Sequence, residues 1–439
     1  MRLTRTLLSR VAPPLLRKTP FPIPKPGPFL PATEQVDEEI IPGYKSKDFY
    51  PAKPGEVLAD RYQTIVKVGW GGSSTVWFAR DLHRLPDEPE EVVALKINNS
   101  NCHSDLERDM EEHIATADSS HPGRSLFRTF KDCFEIPGPS GKHFCFAYEP
   151  MRESLRLYRR RFHNDAIPLP LVKIYLKVLL TGLDYLHTKC KVAHMDIHYE
   201  NIMVSFEDEA VLGDFMNAQF DEPMSYKLDS AGRVVYSRHN EFGSLRRLGS
   251  IPQFVDLGSA ERFETDGEIG IFPVQPDHAR APEIILGCGY KMSADIWSLG
   301  VMLWDLVEGR NLFSQFRDEH GNYSAKAHLA EMIALLGPPP AELLERYQHW
   351  RGFKFPEKIR ARTGPLFESA EEFFQGPFFS EDGQFLYQDL IPGRKLSDTL
   401  PSLDETEQAE FLSFVKLMLT WNPVDRKTAG ELAKHPYLN

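Results

Sequence analysis

The chain has 439 residues, 41% hydrophobic and 11% aromatic, with a formal net charge of −12. That length suits one large catalytic domain or two to three small ones, and the absence of any apolar run of about eighteen residues argues against a transmembrane helix. The five cysteines (Cys102, Cys133, Cys145, Cys190, Cys288) are widely spaced and form no C-x-x-C pair, so structural zinc and a disulfide framework are disfavoured and a reducing, intracellular compartment is expected.

The charge is uneven. Residues 1–33 carry Arg2, Arg5, Arg10, Arg17, Lys18 and Lys25 and no acid, so the remainder is more acidic than the total. An acidic body repels nucleic acid and suits basic peptides, although most of these charges serve solubility. On a helical wheel Leu3, Leu7 and Val11 share one face, opposite Arg2, Arg5 and Ser9. This resembles a mitochondrial transit peptide, and a disordered basic leader fits equally well. Pro-rich residues 19–54 read as a linker.

Strand signals start at Arg61. Tyr62–Val68 and Thr75–Ala79 are alternating or β-branched, with Gly69-Trp70-Gly71-Gly72-Ser73-Ser74-Thr75-Val76 between and across them. Strand, glycine turn, strand is a hairpin. A dinucleotide fingerprint needs a helix after its glycines, so that reading is disfavoured. Glycines let backbone N–H groups come close to phosphates, and a plain turn is the alternative. Val92–Ile97 is a further strand that puts Ala94 and Lys96 on one face. A lysine in an apolar strand needs a partner or must snorkel to an edge. The next helix is predicted over Ser104–Ala117, with Leu106, Met110 and Ile114 as its buried stripe and Glu107 beside them. Strands follow at Phe127–Phe134 and Phe144–Glu149, which makes five.

Leu169–Thr188 is predicted as a long helix burying Val172, Tyr175, Leu176, Leu179, Leu183 and Leu186. It leads into the polar loop His194-Met195-Asp196-Ile197-His198-Tyr199-Glu200-Asn201, then the short strand Ile202–Val204. A polar loop between rigid elements is where catalytic side chains tend to sit. Residues 205–252 form a long mixed interval, unusual inside a compact domain, with Val234–Ser237 as an extra strand. Phe254-Val255-Asp256-Leu257-Gly258 is a strand ending in Asp-x-Gly. Arg280-Ala281-Pro282-Glu283 precedes an apolar helix over Asp295–Glu308, which Ser293 is placed to cap. Asp295 sits where it can brace the polar loop. Residues 309–405 hold further helices and turns, Gln408–Thr420 is an amphipathic helix, and Arg426 is a partner for Glu283.

Taken in order, the glycine hairpin, strand lysine, helix glutamate, H-x-D loop, D-x-G, A-P-E and D-x-W-S-x-G make residues 60–438 resemble a eukaryotic-type protein kinase. The details Gly69-Trp70-Gly71, Ser74-Thr75-Val76-Trp77, His194-x-Asp196-Ile197, Asp256-Leu257-Gly258-x-Ala260 and the spacer resemble the SR-protein-specific kinase (SRPK) group, in its fungal branch. The resemblance implies an α+β bilobal fold with a small β-rich N-lobe and a larger helical C-lobe. The implied layout is a basic, Pro-rich segment over 1–54, an N-lobe over 55–151 and a C-lobe over 152–439, with a spacer at about 205–252 and an extended insert at about 309–405.

It further implies a non-specific protein serine/threonine kinase that uses ATP and Mg²⁺. Asp196 would be the catalytic base and Lys96 would pair with ATP phosphates and Glu107, with Glu111 as the fallback. Asn201 and Asp256 would hold the metal. Val68, Gly69, Trp70, Gly71, Gly72, Ser73, Ser74, Val76, Ala94, Lys96, Glu149, Met151 and Met203 would line the ATP site, with adenine read at the hinge Tyr148–Met151. Met203 could equally be ordinary core. The implied substrates are serines in basic Arg/Ser-rich splicing factors, with no direct nucleic acid partner and a monomeric enzyme. The implied compartments are cytoplasm and nucleus, against a mitochondrial location if residues 1–33 are a transit peptide. Met195 stands where other kinases carry the arginine that reads an activation-loop phosphate, so no such phosphate is expected to be needed.

Departures from the pattern are specific. Ser74 replaces the third glycine, Tyr199 replaces a proline, and His198 stands where a lysine usually steadies the transferring phosphate. His198 and the missing third glycine motivate an alternative, a catalytically weak pseudokinase that binds ATP as a scaffold. A small-molecule phosphotransferase is more distant, because Glu283 and Asp295–Gly300 belong to the protein-kinase pattern.

Overall fold

A computed structural model describes residues 23–83, 90–102, 104–118, 120–265, 267–360 and 364–439. The leader face of Leu3, Leu7 and Val11 lies outside these residues. The chain divides into two compact units, one made of Met1–Ser104, Phe130–Met151 and Phe206–Arg247, the other of Asp105–Thr129, Arg152–Ser205 and Leu248–Asn439.

The first unit is built on an antiparallel sheet of β1 (Val57–Leu58), β2 (Tyr62–Trp70), β3 (Ser74–Asp81), β4 (Val92–Asn98), β5 (Asp132–Gly138) and β6 (Gly141–Tyr148), in the order β1-β2-β3-β4-β6-β5. Five strands were expected; the two-residue β1 adds a sixth beside β2. The strand placed at Phe127–Phe134 starts later, at Asp132. Before the expected strand, Pro122–Leu126 winds into a 3₁₀ turn capped by the His121 side chain.

Residues 206–247 are more than a spacer, for they supply core to this unit. Asp208 caps a helix over Glu209–Ala218, whose Val211 and Phe215 fall four apart on one buried face. Phe215 meets Phe78 of β3 edge-on at 6.1 Å and Phe242 at 4.5 Å. Tyr226–Leu228 pairs with Val234–Tyr236 as a hairpin, and Tyr236 stands edge-on to Trp77 at 5.8 Å. Consequently every residue of β2 from Tyr62 to Lys67 is buried, on both faces of the strand. Each large apolar side chain buried in this way contributes about 1.5–3 kcal/mol. The segment read as a linker also packs here, with Val36, Phe49 and Ala52 buried.

In the second unit, α1 (Ser104–Thr116) turns a different face inward from the one its apolar spacing indicated. Leu106 is 73% exposed, while Glu107, Glu111 and Ile114 are buried. Those three positions are also helical neighbours. Neither carboxylate lacks a partner, and partnering is what lets an acid displace an apolar residue from a buried stripe. The helix Leu169–Tyr185 buries the expected face, then passes through a π-helical turn at Leu186–Cys190 and stops at Lys191 with φ of 57°. Ser293 is the first residue of the helix Ser293–Val307 and does not cap it; Met292 holds the cap position without a side-chain bond. That helix is mostly apolar and, from Ala294 to Val307, buried on all sides, with Asp295, Ser298 and Asp305 as its buried polar residues. The helix expected at Gln408–Thr420 runs over Glu405–Val415, because Asp404 and Glu407 form a reciprocal capping box that sets its start.

Three short strands fix the approach to the polar loop. Ile202–Val204 lies between Pro252–Phe254 and Glu153–Ser154. The chain therefore leaves for residues 206–247 and returns on adjacent strands, with Ser205 N donating to Ile251 O at 3.0 Å. The entropic cost of bringing the ends of an insertion together grows only slowly with its length, so a long one is tolerated here. All five cysteines are free, and no described helix is long and apolar enough to cross a membrane.

Candidate active site

In the first unit the glycine hairpin is the tip of β2 and β3. Gly69 pairs with Val76 and Trp70 with Thr75, and Gly71 N donates to Ser74 O at 2.9 Å. Asn99 ties the tip to the end of β4 through N to Ser73 O at 2.8 Å and Nδ2 to Gly72 O at 3.3 Å. A Cβ added at Gly71 or Gly72 meets nothing within 4 Å. Internal packing therefore does not require these glycines; their effect is a tip with bare backbone. On β4, Lys96 is opposite both Val76 and Phe146, and Ala94 is opposite Phe78 and Tyr148. Ala94 is fully buried and Lys96 half-buried. Val68, Gly69, Trp70, Gly71, Gly72, Ser73, Ser74, Val76, Ala94 and Lys96 are thus brought together on neighbouring strands. Past β6, the Glu149 side chain points out to pair with Lys131, and Met151 is buried.

The second unit carries Glu107, Asp196, His198, Asn201, Met203 and Asp256. Asn201 Nδ2 donates to Asp196 Oδ2 at 2.7 Å and to Asp196 O at 3.0 Å. This closes the loop on itself and leaves the Asn201 amide oxygen on the other side. Val255 N donates to Asn201 O at 3.0 Å, which sets Asp256 next to the same loop. Met203 pairs with Gln253 in the short sheet behind it. Glu107 is buried on α1.

Asp295 holds the loop from below. Its Oδ2 accepts from His194 N at 2.7 Å and its Oδ1 from Met195 N at 2.9 Å, and Oδ2 lies 2.9 Å from His187 Nε2. Two non-glycine residues here have left-handed backbone, Met195 at φ 63° and Asp256 at φ 62°. Such conformations persist only where the surroundings enforce them. Farther down, Arg426 grips Glu283 with two bonds of 2.6 Å.

His198 Nε2 lies 3.5 Å from Asp196 Oδ1, and its Nδ1 accepts from Glu200 N at 3.3 Å. Burial is the largest influence on this imidazole and pushes its pKa down. The hydrogen bond and charge of Asp196, with the charges of Glu200 and Asp256, outweigh burial and raise it above 6.5. The sequence did not single out His278, whose ring is 6.3 Å from that of His198. Burial lowers its pKa, and the neighbouring His198 adds to the effect. Nor did it single out Asp305, whose pKa burial pushes up to about 7 against the pull of Arg159 and His198. An acid inside an apolar helix was the available signal for Asp305; His278 offered none.

The protein kinase domain model matches residues 62–236 and 249–438. A serine/threonine protein kinase of Aspergillus fumigatus is 33% identical over 419 residues, 95% of this chain and 94% of the relative. The serine/threonine-protein kinase SRPK of Physarum polycephalum is 32% identical over 430 residues, 92% and 91% of the two chains. The crystal structure of the PF14_0431 kinase domain shares the fold, with a TM-score of 0.62 at 19% identity over 89% of this chain and 99% of that one. The chain belongs to the protein kinase family, and its fold is the bilobal kinase fold. Within that family it is a serine/threonine protein kinase of the SRPK type. Membership implies phosphoryl transfer from ATP with Mg²⁺.

Asp295→Asn is expected to lower kcat by about 10²-fold while leaving the ATP KM near wild type, because a loop shifted by about 1 Å loses its alignment. Steady-state kinetics with varied ATP and peptide check this.

Proposed function

We propose that this kinase transfers the γ-phosphoryl group of ATP to serines of basic Arg/Ser-rich, splicing-factor-like proteins. The observation that carries the reading is the Asp196–Asn201 bond of 2.7 Å in a loop braced by Asp295. It fixes Oδ2 of Asp196, and Oδ1, which faces His198 Nε2 at 3.5 Å, is the oxygen assigned to accept the serine hydroxyl proton. As the new serine O–P bond forms, the bond to the bridging oxygen of ADP breaks and ADP leaves. Lys96 is assigned to the ATP phosphates, and the bare hairpin tip gives them backbone N–H groups.

The donor set suits Mg²⁺. Among the described residues no group of three or more His, Cys, Asp or Glu forms a metal site. One carboxylate, Asp256, and one amide oxygen, Asn201, are hard ligands of the kind Mg²⁺ takes beside phosphate and water. Bound there, the ion neutralises phosphate charge. The SRPK resemblance supports the substrate class, and the acidic body is consistent with it.

Against burial, the hydrogen bond and charge of Asp196 raise the His198 pKa, which is consistent with an imidazolium supporting transfer in an active enzyme. Protonation gives up the long bond from Glu200 N and puts a second N–H donor in its place. If the imidazolium supports transfer, kcat is highest where His198 is protonated. It should fall as pH rises through a value above 6.5, and His198→Lys should flatten that fall. A pH–rate profile of both proteins checks this; an unchanged profile in the variant discards the role.

A further inference from the structure

We propose that Lys67 is a positioning residue for the nucleotide hairpin, locked by an acidic turn of the N-terminal segment. Lys67 directly precedes Val68 and is only 2% exposed. Its Nζ lies 2.5 Å from Glu38 Oε2 and 3.1 Å from Asp37 Oδ2, and it donates to Tyr236 O at 2.9 Å. Glu38 is itself 3% exposed. A lysine this deep is tolerable because its charge is met twice.

The main chain of Lys67 is held from the same side. The β2–β3 pairing slips between Thr64 and Val66 and again between Lys67 and Gly69, so the ladder is irregular on both sides of this residue. Residues of the insert supply partners there. Lys67 N donates to Met224 Sδ at 2.9 Å, and Lys67 O accepts from His239 N at 2.8 Å.

The insert is in turn stitched to the N-terminal segment. Arg238 N donates to Asp37 Oδ2 at 2.6 Å. Lys227 Nζ reaches Glu39 Oε2 at 2.8 Å and donates to Glu34 O at 2.5 Å. Leu30 N donates to Tyr226 O at 2.8 Å, and Tyr226 N to Pro28 O at 3.0 Å. Residues 28–39, the insert and β2 thus close one circuit around Lys67. The bulged end of β2 is set by that circuit more than by its own ladder, and the hairpin tip that follows inherits its position.

This inference rests on reading Val68–Val76 as the nucleotide hairpin. The test uses the full-length chain with Glu38→Gln, Lys67→Met and the double variant Glu38→Leu/Lys67→Met. The readouts are ATP KM, peptide KM, kcat at saturating ATP, and amide hydrogen exchange over Tyr62–Thr75. Each single variant should raise the ATP KM several-fold and speed exchange in that stretch, with kcat and peptide KM little changed. The double variant removes the buried Lys67–Glu38 pair together and leaves Asp37 only its bond from Arg238 N, so it should recover part of the loss.

Should Lys67→Met fail to fold, Lys227→Met loosens the same turn from its rim and is expected to give the same split. Single variants with wild-type ATP KM and exchange overturn the proposal, as does a loss spread equally over kcat and peptide KM. Lys96→Met separates the two readings. It raises the ATP KM if the hairpin and strand lysine hold nucleotide, whatever Lys67 does; if the hairpin reading itself is wrong, neither substitution moves it.

Discussion

Asp196→Asn should reduce kcat on an Arg/Ser peptide by about 10²–10⁴-fold, the range that general-base catalysis supplies, while ATP affinity stays near wild type. The two side chains have the same shape. Asn201 Nδ2 can still donate to the retained oxygen at position 196, so the 2.7 Å closure of the loop survives. The braces from Asp295 to His194 N and Met195 N involve backbone and are untouched. What is lost is the second carboxylate oxygen, replaced by an amide nitrogen that cannot take a proton from serine. Single-turnover phosphorylation and a separate ATP-binding measurement check the split. Equal turnover by variant and wild type removes Asp196 from the catalytic role.

Arg426→Met should cost about 3–5 kcal/mol of stability, the scale for breaking a buried ion pair from one side. Both side chains of the Arg426–Glu283 pair are fully buried, and the guanidinium also donates to Ser293 O at 3.0 Å and Thr420 O at 3.1 Å. It lies 5.1 Å from the ring centre of Trp297. Removing it leaves the Glu283 carboxylate without its main counter-charge where water cannot replace it. Urea denaturation should show the midpoint falling. Adding Glu283→Gln to Arg426→Met should return part of the loss, because an amide is cheaper to bury than an orphaned charge.

What was legible in the sequence was mostly what is local or rigidly spaced. The polar loop at residues 194–201, the D-x-G strand, the long helix before the loop and the Asp295 brace are each carried by a short run whose pattern has one good physical solution. The Glu283–Arg426 pair was also readable, since both sit at recognisable positions. The rest depended on tertiary partners. Spacing alone made Leu106 a core residue, yet Glu107 and Glu111 are buried instead, and nothing in the helix itself reports their partners. Residues 206–247 looked like a spacer because their polarity is mixed. Val211, Phe215, Met224 and Phe242 become core only against β2 and β3, far earlier in the chain. Lys67 and Glu38, and His278 beside His198, are ordinary residues until the fold gives them these neighbours, whereas His198 already stood out in its motif.

Phosphorylation of an arrayed peptide library by the wild-type chain with Mg-ATP tests the central claim most directly. Phosphate on serines flanked by arginine, with little on acid-flanked serines, is the predicted result. No incorporation anywhere on the array, or a preference for acidic flanks, contradicts it.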